Sequence, residues 1–165
     1  MKTFIIAAVT ADGFIAEESS QISTDWTSAA DKAFFRDMTK KAGVMIMGSK
    51  TYETIGKPLP GRKTVVMSRT KKYEGVETTS DSPEAILARL EKEGFKEVAI
   101  CGGASIYALF AERGLVDAIY LTVEPLFIGQ GIPLFSKPIH MKAELVTSSQ
   151  LAGGAVVLEY KVIRP

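Results

Sequence analysis

Histidine, cysteine and tryptophan each occur once in this chain, at His140, Cys101 and Trp26. A lone cysteine excludes an intrachain disulfide, and the lack of any Cys/His cluster leaves no zinc site to expect. A single histidine without a partner motif argues against a hydrolytic triad and places His140 on the surface. Excess charge is missing as well: 20 Lys and Arg face 19 Asp and Glu, a net charge of +1. No broad basic field therefore attracts nucleic acid or an anionic membrane, and a nucleotide site has to be built from a few local cations. Long apolar runs are also lacking. Residues 4–9 are apolar but run directly into Ala11-Asp12-Gly13, which reads as a first strand and not a signal peptide. Nothing approaches the length of a membrane span, so cytoplasm is the expected location.

What is present suits one domain, 1–165, with a real core; the length is too short for two ordinary ones. Residues 4–10 read as a buried strand, and the polar segment 17–24 as a mobile loop. Ser28 is a candidate N-cap for a helix to about residue 41, since Ala30, Phe34, Phe35 and Met38 recur near helical spacing. Strand-like runs at 44–47 and 64–67 flank a short helical piece and the turn Lys57-Pro58-Leu59-Pro60-Gly61. Asp81 or Ser82 caps a helix over 83–93, with Ala85, Ile86 and Leu90 facing inward. A strand at 97–101, a Gly102-Gly103 turn, a helix over 104–113 and a strand at 118–125 follow. Two alternating runs, 143–148 and 155–163, join around Gly153-Gly154. Strands alternating with helices predict a mostly parallel sheet of about eight strands in an α/β sandwich, closed by an antiparallel C-terminal hairpin.

Three strand ends carry the chemistry. Gly48-Ser49-Lys50 and Ser68-Arg69 each put a small or hydroxyl residue and a cation at a carboxyl end. Between strand and helix, Cys101-Gly102-Gly103-Ala104-Ser105-Ile106-Tyr107 lets backbone approach a diphosphate at a helix N-terminus. Nucleotides bind at such ends of open α/β sheets. The plain alternatives are a tight turn at the glycines and ordinary exposed cations at Lys50 and Arg69. Asp31 is the candidate carboxylate: on the inward side of a helix it is expensive unless a ligand with adjacent N–H donors pairs with it. From spacing alone, a solvated acid favouring the helix dipole is the plainer reading. Trp26 either walls a ring-binding cleft or staples the helix, and Cys101 reads as a small apolar residue.

The stretch from Met47-Gly48 through the 56–62 turn to Ser68-Arg69 resembles the signature of dihydrofolate reductases. The likeness extends over nearly the whole chain. It takes in Ile6-Ala7-Ala8, the segment 12–15, Trp26 with Asp31 five residues on, Phe35, Thr51, Gly102-Gly103 with Tyr107, and Tyr120-Leu121-Thr122. The resemblance implies NADPH-dependent reduction of 7,8-dihydrofolate, with hydride transfer to C6 and protonation at N5. It assigns Asp31 to the pteridine amidine edge and the N5 proton route, with Thr122 supporting it and Trp26 in the catalytic set. Phe35 would pack on the substrate, beside Ile6, Ala7, Thr51 and Tyr107, and Arg62 would grip the carboxylate of the glutamate tail. Cofactor positions matched on the early strands are Ala8, Ile15, Gly48, Ser49, Lys50, Thr51, Met67, Ser68 and Arg69. The later ones are Cys101, Gly102, Gly103, Ala104, Ser105, Ile106 and Tyr107.

Other segments point elsewhere. Residues 23–35, Gly114-Leu115-Val116-Asp117 and Gly129-Gln130-Gly131-Ile132-Pro133-Leu134-Phe135 resemble the reductase domain of riboflavin biosynthesis. That domain reduces the ribose of 5-amino-6-(5-phosphoribosylamino)uracil, also with NADPH. Ser49 stands where many folate reductases carry a second cation, which weakens the expected 2′-phosphate contact. The readings in order are a folate reductase, the pyrimidine reductase, and a nucleotide-binding scaffold without catalysis. A small-molecule substrate, no metal, and a monomer or homodimer complete the expectation.

Overall fold

Alternate residues of the first strand face opposite ways, and both sets are apolar, so the strand must be covered on both sides. In a computed structural model describing residues 1–18, 21 and 25–165, this strand is β1 (Lys2–Thr10). Most of the expected loop at 17–24 (19, 20 and 22–24) lies outside the described residues. β1 pairs in parallel with β6 (Glu97–Ile100) and β7 (Ala118–Glu124). Beyond β6 run β3 (Val44–Gly48), β4 (Lys63–Met67) and β5 (Glu77–Thr79), all parallel. Beyond β7 the sheet ends in the antiparallel pair β10 (Val156–Ile163) and β9 (Lys142–Gln150). The order β5-β4-β3-β6-β1-β7-β10-β9 is the expected eight-stranded, mostly parallel sheet with its C-terminal hairpin.

One face packs Ile5, Ala7, Ile46, Val65 and Ile100 against α3 (Pro83–Lys92) and α4 (Ala104–Glu112) through Ile86, Leu90 and Phe110. The other packs Phe4, Ile6, Met45, Met47 and Val66 beneath α1 (Ala29–Ala42) and α2 (Ser49–Ile55), with Phe34, Phe35, Met38 and Tyr52. α1 and α3 form where capping chemistry starts them. Ser28 accepts from the Asp31 N–H, and Ser82 from that of Ala85. α1 stops at Gly43, whose left-handed backbone returns an N–H to the Thr39 carbonyl. One inward residue differs from expectation: Ala85 is exposed, and Pro83 with Ile86 and Leu90 makes the buried face of α3. A proline at the first turn has no N–H to expose, so it packs there without cost.

A second, two-stranded sheet pairs β2 (Phe14–Ala16) with β8 (Ile132–Pro133). These strands are too short for periodicity to reveal. They meet because Gly131 has no side chain: a Cβ there would lie 2.4 Å from the Ala16 carbonyl oxygen. Backbone cannot yield as a side-chain tip does, so Gly131→Ala should cost about 1–3 kcal/mol, the scale of overpacking. Urea unfolding measures it, and an unchanged midpoint would show that the pair opens freely.

Candidate functional site

The side chains of β7 set the register of the site. Tyr120, Thr122 and Glu124 alternate with outward neighbours and so share the α1 face. Each meets a residue of the helix or its cap. The Tyr120 ring lies 6.2 Å from that of Phe34. The Thr122 hydroxyl donates to the Asp31 carboxylate. Glu124 Oε1 accepts from both the N–H and the hydroxyl of Ser28, at 2.8 Å each.

Asp31 is buried, at 8% exposure, and no cation pairs with it among the described residues. Burial pushes its carboxyl above the ordinary aspartate value; the Thr122 hydrogen bond opposes this, the Glu124 charge adds to it, and Lys32 opposes it. A carboxyl group with one protein donor can hold a proton near the sheet or take N–H groups from a ligand.

Arg62 stands just before β4. Its Nη1 donates to the Thr39 hydroxyl at 2.5 Å and to the Arg36 carbonyl at 3.4 Å, while Thr39 donates to the Phe35 carbonyl at 2.8 Å. Its buried Nε has no partner among the described residues, and no carboxylate pairs with the guanidinium there. Burial lowers its pKa from the ordinary arginine value, but arginine stays protonated in proteins. The result is a fixed cation with open donors.

The nucleotide-like strand ends also come together. The Gly48 N–H donates to the Gly102 carbonyl at 2.8 Å, joining the ends of β3 and β6. Gly102 has a φ of +114°, which L side chains rarely adopt, and a Cβ there would press on the Tyr107 hydroxyl at 3.2 Å. Tyr107 donates that hydroxyl to the Ile6 carbonyl at 2.9 Å, and burial pushes its pKa well above the usual tyrosine value. Thr51 lies over Gly103, with 3.4 Å from its Oγ1 to a Cβ built on that glycine. α4 begins at Gly103 without a side-chain cap, leaving first-turn N–H groups to an outside acceptor. Ala104, Ser105 and Ile106 form that turn, Ser105 exposed.

Ser68 and Arg69 line a surface cleft with Thr70, Lys71, Lys72, Thr78, Thr79 and Ser80. Lys71 is held by Glu53 at 2.6 Å, whereas Lys50, Arg69 and Lys72 have no carboxylate partner among the described residues. Ser49 bonds to Tyr73. Ala8 sits opposite Thr122 in the β1–β7 register, and Ile15 packs on the core from β2, as does Met67 from the end of β4. Burial pushes the Cys101 thiol up, which disfavours the reactive thiolate. Trp26 lines a small pocket with Thr10, Ala16, Leu126 and Ile128, and its indole N–H is buried without a partner among the described residues.

Sequence reasoning overlooked Thr39, Lys72 and Glu124, and gave Asp12 no role beyond the first turn and the 12–15 likeness. Asp12 accepts from the Ile128 and Gly129 N–H groups and from the Thr10 hydroxyl, clamping the β1–β2 turn to the loop after β7. Glu124 was findable: it shares the two-residue period of Tyr120 and Thr122. Thr39 and Lys72 have no signal beyond spatial proximity. Among the described residues no group of acidic, His or Cys side chains is arranged for a metal, and no helix is long and apolar enough to cross a membrane.

Comparison with known proteins gives a consistent setting. The sequence profile of the dihydrofolate reductase family matches residues 2–129. The chain is 33% identical to dihydrofolate reductase type A13 of Escherichia coli, covering 98% of this chain and 93% of that one. A pyrimidine reductase-like protein of Corynebacterium diphtheriae superposes with a TM-score of 0.83 at 21% identity, over 99% of this chain and 92% of that one. A deaminase/5-amino-6-(5-phosphoribosylamino)uracil reductase of Thermotoga maritima gives a TM-score of 0.78 at 16% identity, over 98% of this chain and 56% of that one.

Proposed function

The chain belongs to the dihydrofolate reductase family, a reductase-type oxidoreductase acting on a small molecule, and from that premise we propose that it reduces 7,8-dihydrofolate to tetrahydrofolate with NADPH. Residues 1–165 form one reductase domain. The carrying observation is Arg62: a fixed, half-buried guanidinium that, among the described residues, has an orphaned Nε and no carboxylate of its own. A ligand with an anionic tail satisfies it, and the glutamate of a folate has one.

The donor set at the strand ends fits a phosphorylated dinucleotide. The uncapped start of α4 and the Gly102-Gly103 backbone suit a diphosphate, and the hydroxyl-lined cleft with Arg69 suits a ribose phosphate. Bound there, NADPH supplies the hydride. The protein's part is to orient and exclude water. Phe35 packs on the pteridine, with Ile6, Ala7, Thr51 and Tyr107 around it. Asp31 takes the amidine N–H groups and stands on the proton route to N5, with the Thr122 hydroxyl fixing its rotamer.

Loss of the cations should act on cofactor choice. Lys50→Ala and Arg69→Ala should each raise the Michaelis constant for NADPH more than that for NADH, by about 1.5–3 kcal/mol per charge-assisted contact. Equal effects on both cofactors would place the 2′-phosphate elsewhere. Ser49, engaged with Tyr73, leaves Lys50 and Arg69 to provide that preference.

A second reading, reduction of 5-amino-6-(5-phosphoribosylamino)uracil, draws on Gly129-Gln130-Gly131-Ile132-Pro133-Leu134-Phe135, the segment that builds β8 against β2. One substrate panel tests both. The purified protein should oxidise NADPH rapidly with dihydrofolate and slowly or not at all with the phosphoribosyl pyrimidine; the reverse order would transfer the assignment.

A further inference from the structure

Glu124 is a buried carboxylate that the proposed chemistry does not use. It is 4% exposed, sits two residues beyond Thr122 on the same strand face, and has no cationic partner among the described residues. Burying such a group is costly unless something fixed depends on it. Its Oε1 takes two hydrogen bonds from Ser28, the N-cap of α1, and the Ser28 hydroxyl in turn accepts from the Asp31 N–H at 3.1 Å. Glu124 is therefore linked to Asp31 by way of one serine. The first turn of α1 is fastened to β7 at two points, Glu124 on Ser28 and Thr122 on Asp31.

We propose that Glu124 is a positioning residue for Asp31: through Ser28 it anchors the start of α1 to β7, and it sets a second carboxylate on the strand face that meets Asp31. The charges facing Asp31 are Glu124 from β7 and Lys32 from α1 itself, with the neutral Tyr107 phenol facing it from α4. Glu124 is the anion of this set, and it opposes ionisation of Asp31. A protonated Asp31 is the useful form where a proton must reach the substrate, so an adjacent buried carboxylate extends the working range to higher pH. The geometry separates two effects, since Gln at position 124 can still accept from Ser28 but carries no charge.

The inference rests on the reductase reading of Asp31, so the test has one arm independent of turnover. The Asp31 carboxyl carbon is titrated by NMR in the full chain without substrate. In Glu124→Gln its midpoint should fall to lower pH, and in Glu124→Asp, which restores the charge, it should return toward the wild-type value. An unmoved midpoint in Glu124→Gln overturns the proposal. The unsubstituted protein guards against loss of fold. Its Asp31 midpoint should lie above the ordinary aspartate value; a midpoint at or below that value overturns the proposal.

The second arm is the pH profile of dihydrofolate turnover at saturating NADPH. The descending limb should move to lower pH in Glu124→Gln, with the acid plateau within about twofold of wild type. Above the limb the loss grows tenfold for each pH unit that the limb moves. A drop of equal size at every pH, with the limb unmoved, would reduce Glu124 to a structural anchor. Absence of dihydrofolate turnover in the wild type would remove the folate reading and leave the NMR titration to decide Glu124 by itself.

Discussion

Asp31→Asn should reduce dihydrofolate turnover roughly 10²- to 10⁴-fold, the usual contribution of a positioned acid or base. The asparagine keeps the size of the side chain and can still accept from Thr122, so the register between α1 and β7 survives. What it loses is the second acceptor atom for a paired N–H edge and the capacity to take up and pass on a proton. Diaminopyrimidine antifolates, whose protonated ring needs an anion, should weaken as well. NADPH affinity should be little changed, because its proposed contacts lie on other strand ends. Stability should move the opposite way. Burial raises the folded-state pKa of Asp31 above the ordinary aspartate value, so its ionised form is a cost to the fold. That cost is fully present above the folded pKa, shrinks as pH falls through it, and is gone below the unfolded value. Asp31→Asn should thus melt at a higher temperature than wild type at neutral pH, and the gain should vanish in acid. Near-normal turnover in a folded Asp31→Asn protein would sink the assignment and favour the pyrimidine substrate.

Arg62→Leu should weaken dihydrofolate binding by about 2–5 kcal/mol, the range for truncating one member of a buried charge pair. Thr39 and the Arg36 carbonyl hold the guanidinium on its Nη1 side only, so Nε remains to meet a carboxylate. A pteridine without the glutamate tail should bind the variant and wild type almost equally. That comparison separates recognition from architecture: equal losses for both ligands would show that Arg62 serves the turn before β4 and the end of α1. Removing it frees Thr39 Oγ1, but that hydroxyl keeps its bond to the Phe35 carbonyl, so the cost to the fold should be small.

The parts of the site legible in the sequence were those carried by local chemistry. Ser28 capped α1 as read, because an N-cap hydroxyl three residues before an acidic helix start satisfies an N–H that has no other partner. The strand ends at Gly48, Ser68 and Gly102 were read from apolar runs that stop at glycine or serine. The inward face of α3 was misread at Ala85, since a small residue fits either side of a helix and periodicity alone does not choose. β2, β5 and β8 were missed because runs of two or three residues hold no period; their pairing depends on what lies opposite.

The sequence by itself determined the layering, the mostly parallel pairing with its C-terminal hairpin and the positions where chemistry collects, because alternation, helical spacing and turn residues act over a few neighbours. Tertiary structure decided which of those residues are unpaired. Asp31 read as a solvated acid or a buried one until β7 placed Thr122 and Glu124 against it, with no ion-pair partner among the described residues. Arg62 could have been another surface arginine until Thr39, 23 positions earlier, fixed one side of its guanidinium. The reason is physical: burial and charge pairing depend on contacts between residues far apart in the chain, and no local pattern encodes which of them will meet.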